Sequence, residues 1–129
     1  LKTYDREPQL GGILGKTLET VERSGINKKR VVISSFYHTW LDWIRENDPQ
    51  IKVQALVGEK DTGIDFEDFR FDAYNVNADL VTKNDIRLLK KKGKKINLFT
   101  VNDPDKAGMY QDLGIDGIFS DFPQRFLKP

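Results

Sequence analysis

A phrase recurs along this chain: an amphipathic helix, a glycine, a short gap, then an apolar strand. It occurs around Gly25, Gly93 and Gly114. Glycine suits the left-handed cap that ends a helix, and short β-branched runs fit strands covered by neighbours. Strands alternating with helices imply βα units and a parallel sheet, whose right-handed crossovers lay the helices over it. The chain is therefore an α/β protein. Its 129 residues are the size of one domain.

The spacing predicts a helix from about Gln9 to Ser24, with Leu10, Ile13, Leu14, Leu18 and Val21 on one face. "RVVISSF", 30–36, reads as a strand buried on both faces. "YHTWLDWIREN", 37–47, is a helix broken by Asp48-Pro49. "IKVQALV", 51–57, "FDAYNVN", 71–77, "KINLFTV", 95–101, and "IDGIFSD", 115–121, are further strands. Thr82 with Asp85 makes a shortened capping box for the helix that Gly93 ends. Pro104 opens a helix that runs to 113. Residues 58–70, acidic and punctuated by glycine, read as a long loop, simplest as plain surface. Leu1-Lys2-Thr3 resembles the tail of another strand. Two closures fit, an open doubly wound sheet or a (β/α)8 barrel. The Gly-rich fingerprint usual after the first strand of the former is missing, whereas a full barrel needs about 250 residues.

Composition narrows the chemistry. A formal net charge of +1 favours neither nucleic acid nor a membrane surface as the main partner, and no apolar run reaches the length of a membrane span. There are no cysteines and one histidine, so neither a thiolate site nor a His-rich metal site can be drawn from these residues. The compartment is left open, cytoplasmic or secreted. The chain opens on Leu1 and its single methionine is Met109. A nascent protein starts with Met, so the expectation is a chain processed or cut from something longer.

Polar residues gather where the strands end: Lys2-Thr3, Ser34-Ser35-Phe36, Asn75 and Asn77, Thr100 to Asp103, and Ser120-Asp121. Turns are polar everywhere. In a parallel barrel, however, all strands point their C-terminal ends at one face, where the chemistry sits. Five recurrences on one rim mark a candidate site.

Three of these stretches carry a resemblance. "VVISSF", "NLFTVND" and "LGIDGIFSDFP", in that order over residues 30–123, resemble the C-terminal half of the glycerophosphodiester phosphodiesterase family. Its members share a strand ending Ser-Phe, a later strand close to Asn-Val-Trp-Thr-Val-Asn, and a final Gly-Val-Asp-Gly-Ile-Ile-Thr-Asp-x-Pro. "LKT" resembles the end of the family's Glu-x-Lys strand. The resemblance implies that residues 1–129 are the C-terminal portion of a TIM (β/α)8 barrel whose N-terminal strands are absent. It implies a hydrolase that uses a divalent cation, calcium or magnesium, to convert glycerophosphodiesters to glycerol 3-phosphate and an alcohol. The family's carboxylate ligands and two acid–base histidines belong to motifs upstream, so no catalytic or metal residue carries over to this chain. Lys2 carries over as a phosphate contact, and Ser35, Phe36, Phe99 and Asn102 as positions lining the substrate side. Phe99 stands where the family commonly has Trp, which keeps an apolar wall but loses an indole N–H donor.

Three features are read as scaffold. His38 follows a strand end and is expected to be solvent-exposed or to cap a helix. Lys90, Lys91, Lys92, Lys94 and Lys95 cluster at a helix C-terminus, where they favour the macrodipole at the barrel's far face. Trp40 and Trp43 are helix–sheet packing. The competing functional class is a non-catalytic βα half-barrel or assembly module. A barrel cut this way leaves unpaired strand edges and exposes inward residues such as Val32, Leu56 and Leu98 or their alternating neighbours. The expected partners are therefore a second copy or the missing N-terminal half, besides the glycerophosphodiester substrate of the intact parent.

Overall fold

A computed structural model of the chain describes residues 10–127. They divide into two compact units that meet in the chain between Ala55 and Leu56.

The first unit opens with helix α1, Leu10–Ser24. It ends at Gly25, whose φ of 72° is the left-handed conformation that a helix stop requires. A short 3-10 helix at Lys28–Arg30, capped by the Asn27 side chain, turns the chain into strand β1, Val32–Ser35. Helix α2, His38–Asn47, follows and packs on β1. Strand β2, Lys52–Val57, then runs parallel to β1, with Val32 opposite Lys52 and Ser35 opposite Ala55. The core holds Leu14, Ile33, Trp40, Leu41 and Ile44. Lys28 bridges Glu22 in the last turn of α1 to Asp48 after α2, its Nζ 2.9 Å from Asp48. Hydrogen bonds to Glu22 first and then Asp48 raise its pKa.

The second unit holds three parallel strands and the helices between them. Strand β3 is Ala73–Asn77, helix α3 Lys83–Lys91, strand β4 Lys95–Phe99, helix α4 Pro104–Asp112 and strand β5 Gly117–Phe119. A 3-10 turn at Pro123–Phe126 follows. The capping box of α3 forms as its sequence predicts: the Thr82 hydroxyl accepts from the Asp85 N–H at 3.1 Å, and the Asp85 carboxylate from the Thr82 N–H at 2.8 Å. The pairing sets Asn75 opposite Asn97 and Asn97 opposite Gly117.

Burial alternates along β4. Ile96 and Leu98 of β4 are fully buried, as are Ile86 and Leu89 of α3, which packs on that strand. Asn97 and Phe99 take the other face. Leu98 therefore belongs to the helix-covered side, and its alternating neighbours are the inward residues. β1 also departs from expectation. It is not buried on both faces: Val32 is 47% exposed while Ile33 and Ser35 are buried. The strands are shorter than the apolar runs suggest, because Val101 and Asp121 lie in the turns that leave the sheet.

The loop 58–70 is more than plain surface. Phe66 is buried and packs edge-on against Tyr74 at 5.7 Å, and Phe71 does so at 6.2 Å. Burial raises the pKa of the Tyr74 phenol, which accepts from the Phe71 N–H at 3.2 Å. Arg70 pairs with Glu67 and Asp68, and its guanidinium lowers the Asp68 pKa.

At the N-terminal ends of the strands one carboxylate joins three elements. Asp116 accepts from the Ile96 N–H at 2.8 Å and from Lys90 Nζ at 3.2 Å, while its own N–H donates to the Ile96 carbonyl at 2.8 Å. Burial pushes its pKa up, but the Ile96 N–H and Lys90 outweigh that and leave it lowered. A carboxyl with a depressed folded pKa adds stability above its unfolded value of about 3.9, lost as pH falls through the folded value. Asp116→Asn should cost roughly 0.5–1 kcal/mol near neutral pH, the solvent-screened range for a half-exposed pair. The two proteins should converge in strong acid. Urea unfolding along a pH series checks this, and a constant difference at all pH values would exclude Asp116 as the titrating group.

Candidate functional site

The C-terminal ends of β3, β4 and β5 form one face of the second unit. Directly opposed residues of parallel strands project to the same side, so the register builds two rows there. The last residues of the three strands, Asn77, Phe99 and Phe119, make the upper row. Asn75, Asn97 and Gly117 make the lower one.

The lower row is an amide pair over a glycine. Asn97 Nδ2 donates to Asn75 Oδ1 at 2.9 Å, and Asn75 is almost fully buried. A β-carbon on Gly117 would stand 2.6 Å from Asn97 Oδ1, so any side chain there would force the hydrogen-bonded Asn97 amide to shift. The upper row is fixed at one end by Asn77. Its Nδ2 donates to the Gly58 carbonyl at 2.9 Å, and its Oδ1 accepts from the Asp79 N–H at 2.9 Å. Gly58 has φ 97°, and a β-carbon there would lie 2.8 Å from that of Asn77.

Beyond Phe99 the crowded polar stretch divides its work. Asn102 Oδ1 accepts from the Ser120 hydroxyl and the Asp121 N–H, each at 3.0 Å, and its Nδ2 donates to the Asp121 carboxylate at 3.2 Å. Asn102 thus ties the end of β4 to the end of β5. Asp103 accepts from the Asp105 N–H at 2.9 Å as the N-cap of α4, with Pro104 in the first turn. Thr100, Asn102 and Lys106 share a pocket of about 220 Å3 with Ala78, Asp79 and Tyr110.

The sequence-derived site residues fall as follows. Phe99 and Asn102 stand at the end of β4 in the second unit, both half-buried. Ser35 and Phe36 stand at the end of β1 in the first unit. Ser35 is buried and accepts from the Tyr37 N–H at 3.0 Å, and Phe36 is half-buried. Lys2 lies outside the described residues. Phe119, two residues on from Gly117 and at a strand end, joins Phe99 in the upper row although the sequence reading did not single it out. His38 corrects an expectation. It is neither exposed nor a cap, because it is 7% exposed at the first residue of α2, where Tyr37 is the N-cap. The lysine cluster sits where expected, at the strands' opposite end. Lys90 pairs with Asp116, and Lys92 lies over the Phe69 ring at 4.6 Å.

A divalent cation needs several oxygen donors converging on one point. Among the described residues, no three His, Cys, Asp or Glu side chains converge in that way. These residues do not by themselves fit a metal centre.

The model of the glycerophosphoryl diester phosphodiesterase family matches residues 5–125. The chain belongs to this family. A curated relative, a glycerophosphodiester phosphodiesterase of Bacillus altitudinis, is 31% identical over 121 residues, covering 91% of this chain and 49% of the relative. An uncharacterized protein of Bacillus subtilis, YqiK, is 27% identical over 88% of this chain and 48% of its own length. The chain spans about half the length of these curated relatives. Among solved structures, a glycerophosphodiester phosphodiesterase from Parabacteroides distasonis superposes with a TM-score of 0.79 at 22% identity, over 98% of this chain and 53% of that one. A phosphodiesterase from Oleispira antarctica, solved with the product sn-glycerol-3-phosphate, gives a TM-score of 0.78 at 20% identity, over 94% and 50%. The fold is thus that of part of a family TIM barrel, as the sequence implied.

The lower row generates a prediction. Gly117→Ala must displace an amide oxygen held by a hydrogen bond, at a cost of roughly 1–3 kcal/mol. Gly108→Ala, within α4 and with open space around it, should instead stabilise by about 0.5–1 kcal/mol. Denaturant midpoints of the two variants should move in opposite directions, and equal shifts would refute the close approach.

Proposed function

We propose that this chain is the C-terminal part of a glycerophosphodiester phosphodiesterase, which hydrolyses glycerophosphodiesters to glycerol 3-phosphate and an alcohol. The observation that carries the proposal is the family match over residues 5–125, which includes the strand ends bearing Phe99 and Asn102. Lys2 would meet the phosphate, whose negative charge grows at the transition state, where a fixed cation acts electrostatically. Phe99 would wall the aliphatic backbone of glycerol. Asn102 would line the substrate side of the second unit, and the bonds it makes to Ser120 and Asp121 suit it to holding that rim in place. By the family resemblance alone, Ser35 and Phe36 of the first unit would be substrate-side positions. The calcium or magnesium ion, its carboxylate ligands and the acid–base histidines would be supplied by a part of the parent outside these residues. A non-catalytic half-barrel would share this sheet, and the absence of turnover in the full-length parent would favour it.

Three outcomes are expected. The full-length parent should hydrolyse glycerophosphocholine, while the 129-residue chain alone should show no metal-dependent turnover above a blank. In the parent, Lys2→Ala should lower kcat/KM by the equivalent of roughly 2–4 kcal/mol, the loss of one charge-assisted phosphate contact. Unchanged kinetics would remove Lys2 from the site. The isolated chain should also bury its open strand edges, by pairing with a second copy or with the N-terminal half. Sedimentation equilibrium reads this directly. A stable, cooperatively folding monomer at micromolar concentration would contradict it.

A further inference from the structure

We propose that Phe119 is a second substrate-lining residue, which packs beside Phe99 on the carbon backbone of the glycerol moiety. The assignment rests on the phosphodiesterase reading above and adds a specificity determinant to it.

Three observations point the same way. Phe119 is the last residue of β5 and stands directly opposite Phe99, the last residue of β4, so both project from the same face at the strand ends. In a parallel barrel that position serves the site rather than the core. Phe119 is 50% exposed, among the most exposed of the large apolar residues described, although its strand neighbour Ile118 is half-buried on the opposite face. The row beneath it is polar: Gly117 has no side chain, and the half-buried Asn97 amide lies over it. Apolar walls above an amide floor suit a small ligand with one apolar and one hydroxylated side. Glycerol is such a ligand, because its carbon-bound hydrogens face one way when its hydroxyls are engaged the other.

The test uses the full-length protein and two inhibitors of glycerophosphodiester hydrolysis, sn-glycerol 3-phosphate and inorganic phosphate. They share the phosphate and differ in the glycerol. Phe119→Ala should weaken inhibition by glycerol 3-phosphate roughly 5–10-fold, the scale expected for uncovering part of an aromatic ring, and leave inhibition by phosphate unchanged. Phe119→Leu should fall between Phe119→Ala and the wild type. Equal weakening of both inhibitors would make Phe119 a structural residue and overturn the proposal, as would no change in either. If Phe119→Ala fails to fold, Phe119→Leu and Phe119→Ile carry the same comparison, and a selective loss in them supports the assignment. A wild-type protein that hydrolyses its substrate while the variants behave like it would overturn the Phe119 assignment alone. A wild-type protein without hydrolysis would overturn the functional reading and the assignment with it.

Discussion

The register between β4 and β5 is the constraint on which the candidate site depends. It is held at three heights. Asp116 joins the start of β5 to the start of β4 through the Ile96 N–H. Gly117 lets the Asn97 amide lie across the strand, where any side chain would collide with it. Asn102 ties the two strand ends together through Ser120 and Asp121. A slip of β5 by one residue against β4 would turn its side chains to the other face of the sheet. Phe119 would then point at the helices, and Ile118 would stand beside Phe99 on the open face.

This register gives the closing signature "LGIDGIFSDFP" a physical meaning residue by residue. Gly114 ends α4 at φ 91°. Asp116 is the lower clamp, Gly117 the gap under the amide, and Ser120 and Asp121 the partners of Asn102. Most of the stretch is therefore scaffold, and Phe119 is the residue in it that the scaffold leaves half exposed beside Phe99. A motif whose residues hold one another can be as distinctive as a catalytic one, because each side chain answers a geometric demand that few others meet.

Among the described residues of this unit, the buried side-chain amide, Asn75, lies in the site-facing rows. Asn75 has its amide oxygen satisfied by Asn97, as a buried amide requires. Such a pair is directional, so it fixes the side chains it joins more tightly than apolar packing of the same size would. The opposite face of the strands is mainly apolar. Val76, Ile96 and Leu98 are fully buried there, as are Ile86 and Leu89 of α3, and the Tyr74 phenol beside Ile96 accepts from the Phe71 N–H.

The sequence by itself determined the alternation of helix and strand, the parallel sheet, the capping box at Thr82 and the family, because each rests on local periodicity, on single residues of special conformation, or on short ordered motifs. It also placed Ser35, Phe36, Phe99 and Asn102 at strand ends. Only tertiary structure decided what they touch. Asn102 looked like a site-lining polar residue in sequence and proved to spend its amide on Ser120 and Asp121, eighteen and nineteen residues away. Leu98 and Phe99 are adjacent and both apolar, yet one is sealed under a helix and the other faces the site. His38 followed the same logic in reverse, a polar residue at a strand end that packing buried. The physical reason is common to all three. Periodicity tells which residues share a face, but which face is covered depends on elements that are distant in sequence and become neighbours only when the sheet forms.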